Sequence, residues 1–102
     1  MTLLSESPRV RVWEIRLPAN SRVQAHRHVL DYFWTALKAG TSFQHTDDGT
    51  TRSVTYHAGE TRHFSFGAGE YLLHDLENRG DEELAFLTVE FVVSDNKPLP
   101  LD

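Results

Sequence analysis

The sequence contains no cysteine among its 102 residues. This absence excludes disulfide bonds, zinc–thiolate sites and thiol catalysis, and it is typical of proteins from a reducing compartment. Histidine, carboxylate and tyrosine side chains remain as candidate metal ligands. Six histidines are available for that role.

Positive charge is also scarce. The chain has 10 Lys and Arg residues against 15 Asp and Glu residues, which gives a formal net charge of −5. The basic residues occur singly along the chain, so none of the basic stripes that grip a polyphosphate backbone is present. We therefore expect no nucleic-acid partner.

Long apolar runs are missing as well. No segment approaches the length of a transmembrane helix, and the start MTLLSESPRV lacks both the positive charge and the apolar stretch of a signal peptide. We expect a cytoplasmic protein without membrane association. At 102 residues the chain is large enough for one core and too small for two, so we expect one domain over residues 1–102, with a core of about 9–93 and a tail of 94–102.

Short segments with a period of two alternate with turn signals along most of the chain. Residues 10–17 (VRVWEIRL) alternate large apolar side chains with charged ones, which is typical of a strand with one buried face. Closing such strands into a barrel removes exposed edges, so the pattern predicts an all-β jelly-roll barrel. The predicted strands cover residues 10–17, 21–28, 32–37, 41–46, 51–57, 62–66, 71–76 and 84–93.

His26 and His28 are the most informative residues of the chain. Residues two apart in a strand point to the same face, so both imidazoles enter the same space. The spacing alone is weak evidence, because some His-x-His arises by chance about one time in three at this histidine content. A solvated pair on a polar strand is the alternative interpretation.

Two longer segments resemble the two motifs of the cupin superfamily. AHRHVLDYFWTALKAG carries His26, His28 and Gly40 of the first motif, and HDLEN carries His74 and Asn78 of the second. The resemblance covers roughly residues 9–93 and is to small single-domain cupins, among them the β-alanine-degradation type. It implies a cupin-type jelly-roll barrel in which His26, His28 and His74 bind a metal ion.

The sequence departs from the cupin pattern at the usual acidic ligand. That glutamate is separated from the second histidine by three or four intervening residues, which are the positions of Tyr32 and Phe33 in this chain. Asp31 lies one position early and out of phase with His28, so we expect it to point away. Tyr32 is in phase and is a possible fourth ligand, although its phenol must first lose a proton.

Histidine-rich sites of this kind suit divalent transition metals, and the sequence does not choose between Zn, Fe, Ni, Mn and Cu. Core positions in a barrel can also line a cavity. The orientation of Glu90 in LTVEFVV stays open, since a carboxylate that faced inward would need a partner or a function. The residues expected to line the pocket are Tyr32, Trp34, His63, Phe66 and Phe86.

Three functions are compatible with these observations. The first is a metal-dependent enzyme acting on a small organic acid or amine catabolite, for which no catalytic residue is identified. The second is a binding or sensor module for a small-molecule ligand, without turnover. The third is a metal-free oligomeric cupin that serves as an interaction domain. The resemblance also implies a homodimer, with residues 10–17 as a suitable edge strand.

Overall fold

The computed structural model describes residues 1–99, so residues 100–102 of the expected tail lie outside the described residues. Within this range every secondary-structure element is a β-strand. No helix among these residues is long and apolar enough to cross a membrane. The nine strands are β1 (Thr2–Glu6), β2 (Val10–Leu17), β3 (Arg22–His28), β4 (Tyr32–Ala36), β5 (Gly40–His45), β6 (Thr51–Tyr56), β7 (Thr61–Phe64), β8 (Leu72–Glu77) and β9 (Leu84–Phe91).

The strands form two antiparallel sheets that enclose the interior of the molecule. One sheet has the order β1-β2-β9-β4-β7 and the other has the order β3-β8-β5-β6. Strands distant in the sequence therefore pair, as in β2 with β9 and β3 with β8. This arrangement confirms the prediction of an all-β jelly-roll barrel.

One strand was missed by the sequence analysis, and it changes the role of another. The short strand β1 pairs with one side of β2, while β9 pairs with the other side. The expectation that residues 10–17 offer a free edge for dimerisation is therefore wrong, because both edges of β2 are hydrogen-bonded. The edge strands of the described chain are β1 and β7 in one sheet and β3 and β6 in the other.

The apolar core lies at one end of the barrel, which we call the closed end. Alternation along β2, β4 and β9 brings Leu17, Ala36 and Leu84 together there, each no more than 3% exposed. A Cβ atom on Gly40 would collide with the Leu84 side chain, so β5 begins on a residue without one. The closed-end cluster consists of Leu17, Ala36, Tyr56, Leu76, Leu84 and Phe86.

The buried side chain of Asn78 connects two turns at the closed end. The side-chain amide of Asn78 is 1% exposed and donates hydrogen bonds to the carbonyl oxygens of Leu17 (3.0 Å), Pro18 (3.2 Å) and Glu82 (2.8 Å). Its Oδ1 accepts a hydrogen bond from the Gly80 amide at 3.0 Å. Asn78 thereby joins the turn after β2 to the turn between β8 and β9, and it satisfies backbone groups that burial would otherwise leave unpaired.

Candidate metal centre and cavity

Three histidines converge on the inner face of the sheet that contains β3 and β8. His26 stands directly opposite His74 in the register of these strands, and His28 shares the face of His26 because it lies two residues further along. Each of the three offers a ring nitrogen, and these atoms lie within 4.8 Å of one another. The structure thus brings together the three residues that the cupin resemblance singled out.

Hydrogen bonds fix the orientation of two of these rings. Nδ1 of His26 lies 2.8 Å from the carbonyl oxygen of Gln24, and Nδ1 of His74 lies 3.0 Å from Oε1 of Gln44. A carbonyl oxygen can only accept, so both Nδ1 atoms carry the proton and both Nε2 atoms keep their lone pair. Metal-binding histidines are usually held in this way, with the second nitrogen donating to a carbonyl or carboxylate.

The spacing of the nitrogen atoms fits a transition-metal ion. Nε2 of His28 lies 3.1 Å from Nε2 of His74, where its N–H donates a hydrogen bond to the lone pair of His74. Two imidazoles bound to one ion at about 2.0–2.1 Å have their nitrogens about 3.0–3.4 Å apart, depending on the bond angle. The cluster therefore matches a metal site in donor type and in this separation.

The electrostatics of the cluster favour neutral rings. Burial, together with the neighbouring His26 and His74, lowers the pKa of His28 to about 3. Burial and the proximity of His26 lower the pKa of His74 to about 4, against an opposing effect of Asp75. Because a histidine must be neutral to bind a metal ion, protons compete only weakly for these two rings near neutral pH.

Tyr32 lies beside the cluster. Its ring stacks on His28 on one face, with centroids 4.4 Å apart, and on Phe64 on the other, at 4.8 Å. Burial, reinforced by the charge of Glu90, raises the pKa of Tyr32 above its ordinary value. A protonated phenol is a poor ligand, so these properties favour Tyr32 as a wall of the site. Asp31 lies outside the histidine cluster and accepts a hydrogen bond from the Phe66 amide at 2.7 Å.

The histidines border a cavity of about 600 Å³ between the two sheets. This volume is typical of pockets that hold a metabolite-sized molecule. His63 reaches only its rim, because β7 directs the imidazole to the outer side, where it packs against Phe33 with centroids 5.2 Å apart. All the expected pocket residues contribute to the lining, namely Tyr32, Trp34, His63, Phe66 and Phe86.

A second cavity of about 420 Å³ shares His26 and His28 with the first. Glu90 faces this second cavity, where its carboxylate accepts a hydrogen bond from the Trp13 indole. This contact shows which way the Glu90 side chain points, a question that the sequence left open. β9 is a central strand with large apolar residues on both faces, so alternation alone does not distinguish inside from outside.

An ion-pair network on the other side of β8 holds His74 in place. Asp75 is 1% exposed; it accepts a hydrogen bond from the His45 amide at 2.7 Å and pairs with Nη2 of Arg22 at 2.7 Å. Burial acts to raise the pKa of Asp75, but the hydrogen bonds from His45 and the charge of Arg22 outweigh it and lower the pKa. The network ties β8 to β3 and β5, the strands that carry His26 and Gln44.

Sequence reasoning missed most polar residues of the first cavity, among them Gln44 and Arg52. These two stand opposite each other in the register of β5 and β6, and both line the cavity. The signal was present, since Ser42, Gln44 and Thr46 share one strand face and would need partners if buried. It was overlooked because the flanks of the Asp48-Gly49 turn read as a solvated hairpin.

The fold of the chain resembles that of solved cupin structures. A cupin domain from Bordetella pertussis Tohama I superposes with a TM-score of 0.79 and 26% identity, over 88% of each chain. The chain has the fold of a small cupin. No protein-family model matches the sequence, and a search of curated proteins finds no match.

Two further structures show how widely this cupin fold is shared. An RmlC-like cupin-family protein from Methanocaldococcus jannaschii matches with a TM-score of 0.69 and 18% identity, over 88% of this chain and 76% of the other. The polyketide cyclase RemF from Streptomyces resistomycificus matches with a TM-score of 0.63 and 19% identity, over 91% of this chain and 59% of the cyclase. At such identities the similarity establishes the fold and leaves the reaction to be argued from the site.

Proposed function

We propose that this cupin binds a divalent transition-metal ion through His26, His28 and His74 and acts as a metal-dependent enzyme on a small organic acid or amine. One observation carries the proposal: the three ring nitrogens converge within 4.8 Å at the wall of the larger cavity. A solvated histidine pair would have no reason to meet a third ring. Nor would it need the hydrogen bonds that orient His26 on the Gln24 carbonyl and His74 on the Gln44 side chain.

A metal ion held only by neutral imidazoles keeps its full positive charge and acts as a Lewis acid. The protein contributes the surroundings. The ring of Tyr32, itself stacked on Phe64, shields one side of His28 from water, and Gln44 holds His74 in the tautomer that a ligand needs. Zn, Fe, Ni, Mn and Cu all accept such a donor set.

A binding or sensor module without turnover is the second candidate. It is favoured by the absence of any Asp or Glu from the lining of the larger cavity, as far as residues 1–99 define it. Carboxylates are common general bases, and without one the histidines would have to serve as both ligands and bases.

The metal is tested by elemental analysis of protein purified without a histidine tag and then dialysed in turn against Zn, Fe, Mn, Ni and Cu salts. We expect close to one ion per chain in the native protein, and less than about a tenth of that in the His26→Ala, His28→Ala double variant and in His74→Ala. His57→Ala is the matched control, because His57 is exposed at the end of the β6 hairpin. Absence of metal after all five dialyses would overturn the proposal and favour the metal-free interaction domain.

Turnover is tested separately on the metal-loaded protein with a panel of small carboxylic acids and amines. Consumption of a panel member that stops in the double histidine variant supports the enzyme. Binding of a panel member without consumption under aerobic and anaerobic conditions supports the binding or sensor module instead.

A further inference from the structure

The larger cavity has a charge opposite to that of the protein as a whole. The chain carries a formal net charge of −5, yet the cavity lining within residues 1–99 contains two arginines, Arg52 and Arg62, and no Asp or Glu. The carboxylate of Glu90 lines the second cavity, where it accepts a hydrogen bond from the Trp13 indole. A site built in this way attracts anions and repels cations.

Arg52 carries the charge that is free to act on a ligand. It stands opposite Gln44 in the register of β5 and β6 and therefore shares the inward face from which Gln44 reaches His74. Among the described residues, no carboxylate pairs with Arg52. Arg62, in contrast, already pairs with Glu60 at 2.7 Å.

The aromatic walls of the cavity suit an apolar body, and the ring faces of Tyr32 and Trp34 are already in contact with other groups. Aromatic cages bind an ammonium group over open ring faces. Both faces of Tyr32 are covered, by His28 and Phe64, and the guanidinium of Arg62 lies over Trp34 at 5.7 Å from the ring centroid. The charge of the cavity lining and the contacts on these ring faces therefore both favour an anionic ligand over a cationic one.

We propose that the ligand of this cavity is an organic acid with an apolar or aromatic body, whose carboxylate is held by Arg52 at the mouth while the body lies along the walls toward the histidines. Of the two substrate classes in the proposed function, this proposal selects the organic acid over the amine. It rests on the proposed function for the part of the ligand that faces the histidines. The Arg52 contact itself does not depend on a bound metal. A guanidinium suits this role because it grips a carboxylate with two parallel hydrogen bonds.

The probes are 3-phenylpropionate, the neutral 3-phenylpropionamide and the cationic 3-phenylpropylamine, which share one aromatic body and differ in charge. Binding is followed by NMR through the indole N–H signals, because Trp34 lines the larger cavity and Trp13 lines the second. We expect the acid to bind most tightly and to shift the Trp34 signal more than that of Trp13. Each titration is made on protein treated with EDTA and on protein loaded with Zn²⁺.

Arg52→Gln should weaken binding of 3-phenylpropionate about five- to tenfold and leave binding of the amide unchanged, with Arg52→Lys in between. Arg16→Gln is the matched control, since Arg16 is half-exposed and lines neither cavity. Equal or tighter binding of the amide or amine, an Arg52→Gln effect below about twofold, or no binding of the acid up to about 10 mM would overturn the inference. Arg52-dependent binding in a protein that takes up no metal would contradict the proposed function alone, while metal uptake without acid preference would contradict this inference alone.

Discussion

The two ends of the barrel are built on the same strands and differ in what those strands turn inward. Along β8, Leu76 packs into the closed-end cluster and borders the cavity from that side, whereas His74, two residues earlier, belongs to the histidine cluster. Along β4, Ala36 is fully buried in the core, whereas Tyr32, at the other end of the strand, stacks on His28. Each sheet therefore contributes to both ends, and a step of two or four residues along a strand separates the two roles.

The two ends of this small barrel differ in what their residues contribute, stability at the closed end and a candidate binding site at the histidine end. At the closed end, apolar side chains fill the interior and Asn78 satisfies the turns, so each contact contributes to the free energy of unfolding. At the histidine end, an open volume of about 600 Å³ means that several side chains lack neighbours on one side. Substitutions should accordingly affect stability at the first end and ligand binding at the second.

The largest effect is expected at the asparagine of the closed end. Asn78→Asp would place a carboxylate where the amide now donates to three carbonyl oxygens. An uncompensated buried charge costs about 3–5 kcal/mol of unfolding free energy, which urea denaturation at pH 7 measures. The matched control is Asn20→Asp in an exposed turn, where Asn20 has a φ of 59° that aspartate tolerates. Similar losses in both variants would contradict the role given to Asn78.

A second pair of variants compares the two ends directly. Leu84→Ala should cost about 3 kcal/mol, because the deletion leaves a void inside a packed cluster. Leu72→Ala should cost about 1 kcal/mol, because Leu72 lines the cavity and is only partly buried, so less packing is lost. Urea midpoints of the two proteins check the difference, and equal costs would show that the closed end is no better packed than the histidine end.

The metal-free protein should become less stable in acid because of its histidine end. The folded pKa values are about 3 for His28 and about 4 for His74, against 6.5 for an ordinary histidine. Below pH 6.5 the unfolded chain binds protons that the folded chain refuses, so unfolding free energy falls as pH falls, by roughly 2 kcal/mol per ring at pH 5. Urea denaturation at pH 7.5 and pH 5 measures the loss. The His28→Gln, His74→Gln double variant should show a smaller loss, and an unchanged loss would refute the assignment to these rings.

The smallest effect is expected at Tyr32. Tyr32→Phe keeps the stacking on His28 and Phe64, so stability should change by less than about 0.5 kcal/mol. If the phenol is not a ligand, metal content should equal that of the native protein, as elemental analysis of both proteins will show. A clear loss of metal would make Tyr32 the fourth ligand and restore the alternative drawn from the sequence.

Much of this architecture is predictable because a period of two is a physical requirement of a strand with two different faces. That rule placed His26 and His28 on one face, and all the strands it predicted are present with shifts of up to two residues at their ends. It missed β1, because TLLSE is mostly exposed and carries little alternation. The error mattered, since β1 covers the edge of β2.

The remaining parts of the site depend on contacts that no local pattern records. His74 meets His26 only because β8 pairs with β3, and the resemblance to cupins, not the spacing, indicated that these histidines share a site. The tautomer of His74 depends on Gln44, from a third strand. The electropositive lining arises because Arg52 and Arg62 lie on the edge strands β6 and β7 of different sheets.

The pairing of β2 with β9 also bears on how the protein is made. Residues 10–17 have their main partner in residues 84–91, and at about 5–20 residues per second the ribosome needs roughly 4–15 s to synthesise the chain between them. His26 likewise cannot pair with His74 until β8 has been synthesised. The barrel therefore cannot close before residues 84–91 have been synthesised. An ion that needs all three histidines could bind only once His74 is in place, so it would not guide the first steps of folding.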